Sequence, residues 1–322
     1  MANATHPDAL TQPGCGPPSP HLPRLAWRPG RGADGYNLQM MPEMSGDSNP
    51  QTLEGWRESM DASIRKENGW LALAGLIWLH EGENRFGSAA SNDIVLPATA
   101  APPIAGSILL EHGEARLQVF TPGLLEVDGR DVDQAVLEPD TSGDPNRITL
   151  GPLAMIILER GSRTGVRLWD NSRAARLSFP RRIWFPEDPS WRIQADFHPH
   201  DPPRLLQVPT ALGDEVREAG VGRVTFISQR AVHHLEALGT DAGGLWLIFG
   251  DRTNGNETYP SGRFVTCPAP EAGKVLVDFN RAYSPPCAFS MFATCPLPPA
   301  QNLLDLRVEA GERFVPHPGA LA

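Results

Sequence analysis

Leu53, Trp56, Met60 and Ile64 stand three and four residues apart, the spacing of one helix face. Thr52 precedes them with a hydroxyl suited to cap the first turn, and Lys66-Glu67-Asn68-Gly69 holds residues that end one. Beyond Gly69 the period changes. Short apolar runs separated by turn residues follow at Leu71–Leu79, Asp93–Leu96, Ser107–Leu110, Ala115–Phe120, Leu124–Val127, Ile148–Leu150, Ala154–Leu158 and Gly165–Trp169. Strand-length runs spaced about 8 to 12 residues apart predict a sandwich or barrel rather than an α/β fold. A Pro-rich stretch over 179–189 interrupts the series and marks a domain boundary. The β pattern then resumes at Trp191–Phe197, Leu205–Val208, Arg223–Ser228, Val232–Ala237, Leu245–Phe249, Arg263–Cys267 and Lys274–Phe279. A Pro-rich irregular segment over Ser284–Pro299 and a last strand, Leu303–Val308, complete it. The predicted fold class is mainly β: an N-terminal helix, a β-sandwich, then a second β-barrel-like or sandwich domain.

The expected domains are 49–185 for the helix and sandwich and 186–315 for the second β domain, with 316–322 a tail. Residues 1–48 have the Pro-, Gly- and Ser-rich composition of a disordered tail. Met40, Met41 and Met44 close that stretch and suggest a mis-assigned start.

Composition narrows the function classes. Gly and Pro, 31 and 33 of 322 residues, favour turns and short strands over long helices. The net charge of −10 and pI of 5.4 set the surface against phosphate backbones and anionic lipid, so neither nucleic acid nor membrane is an expected partner. Arg160, Arg163, Arg167, Arg173 and Arg176 form a local basic run, whose plain reading is a solvated strand face rather than an anion site. Four cysteines, Cys15, Cys267, Cys287 and Cys295, are too sparse for a disulfide scaffold, and none has CxxC spacing. The apolar run Trp70 to Leu79 is half of the about 20 residues a spanning helix needs, and no secretion signal opens the chain. A cytoplasmic location follows as the expectation. No GxGxxG or Walker-type loop occurs, which argues against the common nucleotide folds.

In the first half, Gly82-Glu83-Asn84-Arg85-Phe86-Gly87-Ser88, then Asp93-Ile94-Val95-Leu96, then Leu125-Glu126-Val127-Asp128-Gly129, resemble the framework of a forkhead-associated domain over roughly 70–170. The departures decide the reading. The phosphothreonine-binding Arg of that family is Ser88 here, and the Asn of its closing turn is Asp128, whose carboxylate would repel phosphate. The expectation is a degenerate domain of that type used as a platform.

The second half is more specific. Leu247-Ile248-Phe249 runs into a polar segment with Asn254-Gly255, a pair suited to a tight hairpin, and a strand is expected at or just after Tyr259. Val275, Val277 and Phe279 alternate with Leu276, Asp278 and Asn280, so polar groups close an apolar strand. The run Asp251 to Tyr259, Gly262-Arg263, Asp278-Phe279-Asn280, Cys287, Cys295-Pro296-Leu297-Pro298-Pro299, Asn302 and Ala310-Gly311-Glu312 resembles the signature of the bacterial domain-of-unknown-function family 1684. The resemblance spans about 53–315; its one departure is Ser284, where the pattern has Asn after Tyr. It implies a fold and a place for a site, and no chemistry.

The candidate site gathers Thr253, Tyr259, Arg263, Asn280 and Tyr283 as ligand-binding residues, Asp251 and Asp278 as candidate catalytic carboxylates, and Cys287 and Cys295 as thiols of a wall or lid. Three functions compete. In a small-molecule binding protein, Arg263 would hold an anionic ligand while Tyr259 and Asn280 orient it. In a hydrolase, Asp251 or Asp278 would act as base or metal ligand. In a structural or interaction protein, the same residues form a satisfied network, with Arg263 paired to a carboxylate. The two thiols read as structural, as metal ligands or as a nucleophile, in that order, and no cofactor is identified. His233 and His234, adjacent on a predicted strand, point to opposite faces and cannot share a metal; His198 and His200 lie far from the cysteines in sequence. Most of the eight tryptophans, among them Trp70, Trp78, Trp184, Trp191 and Trp246, are expected in the core.

Overall fold

Thr52 accepts a hydrogen bond from the Gly55 amide and opens helix α1 (Leu53–Arg65), which stops where Lys66 turns to an extended backbone and donates to the Ser63 carbonyl. The computed structural model describes residues 52–316; the expected tail, the three candidate start methionines, Cys15 and residues 317–322 lie outside that range.

Eleven short strands follow: β1 (Leu73–Trp78), β2 (Gly82–Gly87), β3 (Ile94–Val95), β4 (Gly106–Glu111), β5 (Glu114–Val119), β6 (Glu126–Val127), β7 (Arg130–Asp131), β8 (Gln134–Leu137), β9 (Ile148–Leu150), β10 (Leu153–Arg160) and β11 (Arg163–Asp170). They form two sheets, ordered β3-β2-β4-β5-β8 and β1-β11-β10-β9-β6-β7. Inward residues of both, including Phe86, Ile108, Leu117, Leu153, Ile157 and Val166, make one apolar core, so this part is a sandwich.

A short helix α2 (Ala174–Ser178) leads to β12 (Ile183–Trp184) and the second sheet. That sheet comprises β13 (Arg192–Pro209), β14 (Glu215–Ser228), β15 (Ala231–Gly239), β16 (Leu245–Phe249), β17 (Arg263–Cys267) and β18 (Lys274–Asp278), in the order β17-β16-β15-β14-β13-β18. Finally β19 (Glu312–Arg313) pairs antiparallel with β12, closing a small clip. The mainly β class read from the sequence is the class of the structure.

Three local expectations are corrected. The segment 303–308 is not a strand: only Leu303 bridges, to Gly250. Its alternation is real, with Leu304, Leu306 and Val308 in the core, but its backbone bonds singly to the 250–252 segment instead of a ladder. The segments read as Trp191–Phe197 and Leu205–Val208 are one strand, β13, whose register shifts between Pro199 and Arg204, where prolines cannot donate to a ladder. Asn254-Gly255 is not a hairpin turn. Only Gly255 has positive φ, and β16 and β17 are joined by a loop over 250–262.

The sides of the helix decide the architecture. Trp56 and Met60 pack on Leu206, Val208, Trp246, Ile248 and Phe264 of the second sheet and on Tyr283 beyond β18, while Ile64 meets Leu71, Phe179 and Phe289. The irregular 285–299 segment reaches the other way. Ala293 and Cys295 sit against Ala72, Leu73, Ala154, Ile156 and Trp169 of the sandwich, making an apolar joint between the two halves.

Candidate functional site

Arg263 opens β17 at the end of the 250–262 loop, and its residue is 0% exposed. Its Nη2 donates to Asp251 Oδ2 at 2.6 Å and to the Val308 carbonyl at 2.8 Å, and its Nη1 to the Ala310 carbonyl. The guanidinium also lies 5.3 Å from the Phe249 ring centroid. Burial pulls its pKa down and the Asp251 carboxylate opposes that, so the cation persists as half of a buried pair. Asp251 is fully used as well: its other oxygen accepts from the Thr253 amide at 2.7 Å and the Thr253 hydroxyl at 2.5 Å. Thr253 in turn meets Thr258, 2.8 Å between hydroxyls. Gly262 makes room for this arrangement, since at its φ of 92° a side chain would strike Pro298 at 2.4 Å.

The remaining candidates fall into separate sets. Asp278 caps the turn after β18 by accepting from the Asn280 amide at 3.1 Å. Asn280 is buried, accepts from the Asp188 amide and donates to the Asp188 carbonyl, both at 3.0 Å, pinning the chain ahead of β13. Tyr283 stacks edge-on with Phe264 under α1, and burial pushes its phenol up to about 12. Tyr259 stands apart from all of these. It is half-buried and packs edge-on against Phe314, and burial pushes its phenol up to about 12. The structure therefore brings Asp251, Thr253 and Arg263 together and puts Asp278 with Asn280, while Tyr283 and Tyr259 each lie elsewhere.

Cys287 and Cys295 do meet. The Cys287 amide donates to Cys295 Sγ at 3.1 Å. Cys295 is buried and Cys287 half-buried, and both are free thiols. Among the described residues no group of three or more His, Cys, Asp or Glu is placed to hold a metal ion. The two adjacent histidines divide as expected: His233 packs on Phe226, and His234 is exposed beside Thr225. The basic run is dispersed. Arg160 pairs with buried Asp140, Arg163 with Asp214, Arg167 bonds to Thr294, Arg173 to the Leu73 carbonyl and Arg176 to the Arg65 carbonyl.

Three further groups carry weight outside the candidate site: Asn302 and Glu312, read from the sequence only as signature positions, and Glu236, not read at all. Glu312 accepts from Arg182 Nη1 and from the Ser284 amide, each at 2.7 Å, while the Arg182 amide donates to Asp61 on α1. Burial raises the Glu312 pKa, and Arg182 opposes the shift. Glu236 accepts from His200 Nε2 and Arg223 Nε, both at 2.7 Å. Burial works to raise its pKa, but those two bonds prevail and leave it below the ordinary carboxylate range. Asn302 accepts from the Glu236 amide at 2.7 Å and donates to the Glu236 and Ile248 carbonyls at 2.9 and 2.8 Å. Strands β15 and β16 pair only at Leu238–Trp246 and Gly239–Leu245, so the Asn302 amide supplies rungs where they splay. Only an i-to-far contact defines these groups, and no local spacing signals one.

Taken together, the site is a set of buried polar clasps inside a two-part, mainly β protein. The chain belongs to the family of proteins of unknown function DUF1684, whose model matches residues 178–313. An uncharacterised protein of Haloarcula marismortui, solved in solution, is 32% identical; the match covers 43% of this chain and 79% of that one, with a TM-score of 0.37. Two FHA domains match at 18% identity and TM-scores of 0.21: one from a study of phosphothreonine-dependent interactions, one the FhaA domain complexed with an intracellular domain. Each of those matches covers 29% of this chain and, respectively, 92% and 96% of the other. No curated protein matches the chain. No helix among the described residues is long and apolar enough to cross a membrane.

Proposed function

We propose that the chain is a structural or interaction protein whose family signature builds an internal clasp, rather than an Arg263-anchored ligand site or an Asp251/Asp278 hydrolase. The observation that carries this is the enclosure of Arg263, 0% exposed with both terminal nitrogens committed to Asp251 and two carbonyls. An anion anchor must present donors to a cleft; this one is enclosed, with its terminal nitrogens on Asp251 and on the backbone that precedes Glu312. Asn280 and Asn302 support the same reading, because each amide bonds main chain far away in sequence. The reading includes a cytoplasmic setting, where the resting state of free thiols such as the three described here is the reduced one.

The test uses two substitutions. Arg263→Ala strands a buried carboxylate and is expected to cost about 3–5 kcal/mol in urea unfolding. Asp278→Asn is expected to leave an ester and phosphoester screen unchanged. A well-folded Arg263→Ala protein that has lost thermal stabilisation by inorganic phosphate or a carboxylate would restore the binding reading. Activity in the wild type that Asp278→Asn abolishes would restore the hydrolase.

A further inference from the structure

We propose that Cys287 and Cys295 form a two-thiol redox site, oxidised to a disulfide by hydroperoxides and returned by thiol exchange, independent of the structural reading above. The geometry separates an outer from an inner sulfur. Cys287 sits on a one-turn segment after Pro285 and Pro286 and is half-buried, whereas Cys295 is 3% exposed. The Cys287 amide already points at Cys295 Sγ from 3.1 Å, which brings the two residues side by side. Prolines flank both, Pro285 and Pro286 before Cys287 and Pro296 after Cys295, so little chain freedom is lost when the sulfurs join. Cys267 is the contrast: a solitary thiol inside the core of the second sheet.

The surroundings assign the roles. Burial raises the Cys295 pKa well above its ordinary value, keeping it a thiol. Cys287 is the sulfur that solvent can reach, since it is half-buried while Cys295 is 3% exposed. Cys287 is thus the attacking sulfur. It displaces the alcohol from a hydroperoxide: an S–O bond forms, the O–O bond breaks, and the thiol proton leaves on the alcohol. The Cys287 sulfenic acid is then attacked by Cys295, whose proton departs with the oxygen as water. Two thiols and one hydroperoxide give one disulfide, one alcohol and one water, the two sulfurs losing two electrons to the peroxide oxygens. The product would tie down the segment at the apolar joint with Ala72, Leu73 and Trp169.

The experiment treats the reduced full-length chain, carrying Cys15→Ser, with hydrogen peroxide and follows intact mass and peptide maps. The expected result is a loss of about 2 Da with a Cys287–Cys295 link, at least tenfold faster than any change at Cys267. Cys295→Ser should stop at a sulfenic acid on Cys287 that dimedone traps. Oxidation of the pair no faster than Cys267, or a wild-type protein that gains oxygen on Cys287 without forming the link, would overturn the proposal. The wild-type mass and map stand alone if a substitution fails to fold.

Discussion

At the scale of single residues, the polar side chains of the signature act as pieces of backbone. Asn302 is the sharpest case: its amide meets three main-chain groups of two strands that no longer reach each other. Asn302→Ala leaves those buried groups unpaired, and the expected loss is about 3 kcal/mol, read as a lower urea midpoint with an unchanged slope. Asn302→Asp is expected to be no better, since a carboxylate keeps the acceptor for the Glu236 amide but cannot donate to the two carbonyls. Gly262 belongs to the same logic, because the Pro298 ring occupies the space a methyl would need.

Elements obey simpler rules, and most of them could be read in advance. The period of Leu53, Trp56, Met60 and Ile64 gave α1 its face, Thr52 its start and the Lys66–Gly69 segment its end. Thr52→Ala is expected to cost about 1 kcal/mol. Trp56→Ala, which empties the contact with the second sheet, should cost about 3–5 kcal/mol, both measured by chemical denaturation. Strands β9, β16 and β17 coincide with their apolar runs, Ile148–Leu150, Leu245–Phe249 and Arg263–Cys267, because each is buried and short. What escaped was long-range. Nothing near Leu303–Val308 says that its apolar residues will be seated without a ladder, and nothing near Arg182 announces Asp61 and Glu312 as its partners. The signature positions were visible as residues; their grouping was not, since Asn280 finds Asp188 while Arg263 finds Ala310.

Across the whole molecule the carboxylates set the response to acid. Asp93, Asp128 and Asp196 have lowered pKa values, from the Arg85 amide, the Arg147 amide and Lys274 respectively, and Ser190 does the same for Asp188. Glu236 joins them through His200 and Arg223. Each depressed group contributes stability that is fully present above its unfolded pKa, near 4, and is lost as the pH falls through the lower folded value. Glu312, raised by burial, works in the opposite sense, adding stability at low pH that is lost as the pH rises through its folded value. Five groups against one predict net acid destabilisation, so urea midpoints should fall steadily below about pH 4. A flat profile there would mean that these hydrogen bonds do not form in solution.

The clip between β12 and β19 reaches further than its two residue pairs suggest. It brings the start and the end of the family-matched stretch, 178–313, side by side. A stretch whose ends meet is portable: it can be inserted into a host loop, or reopened elsewhere and rejoined at the clip, without unthreading the sheet. Trp56 and Met60, which come from before the clip, set the condition on such transplants. Whoever moves the module must carry the helix with it, or repaint the apolar surface it leaves behind.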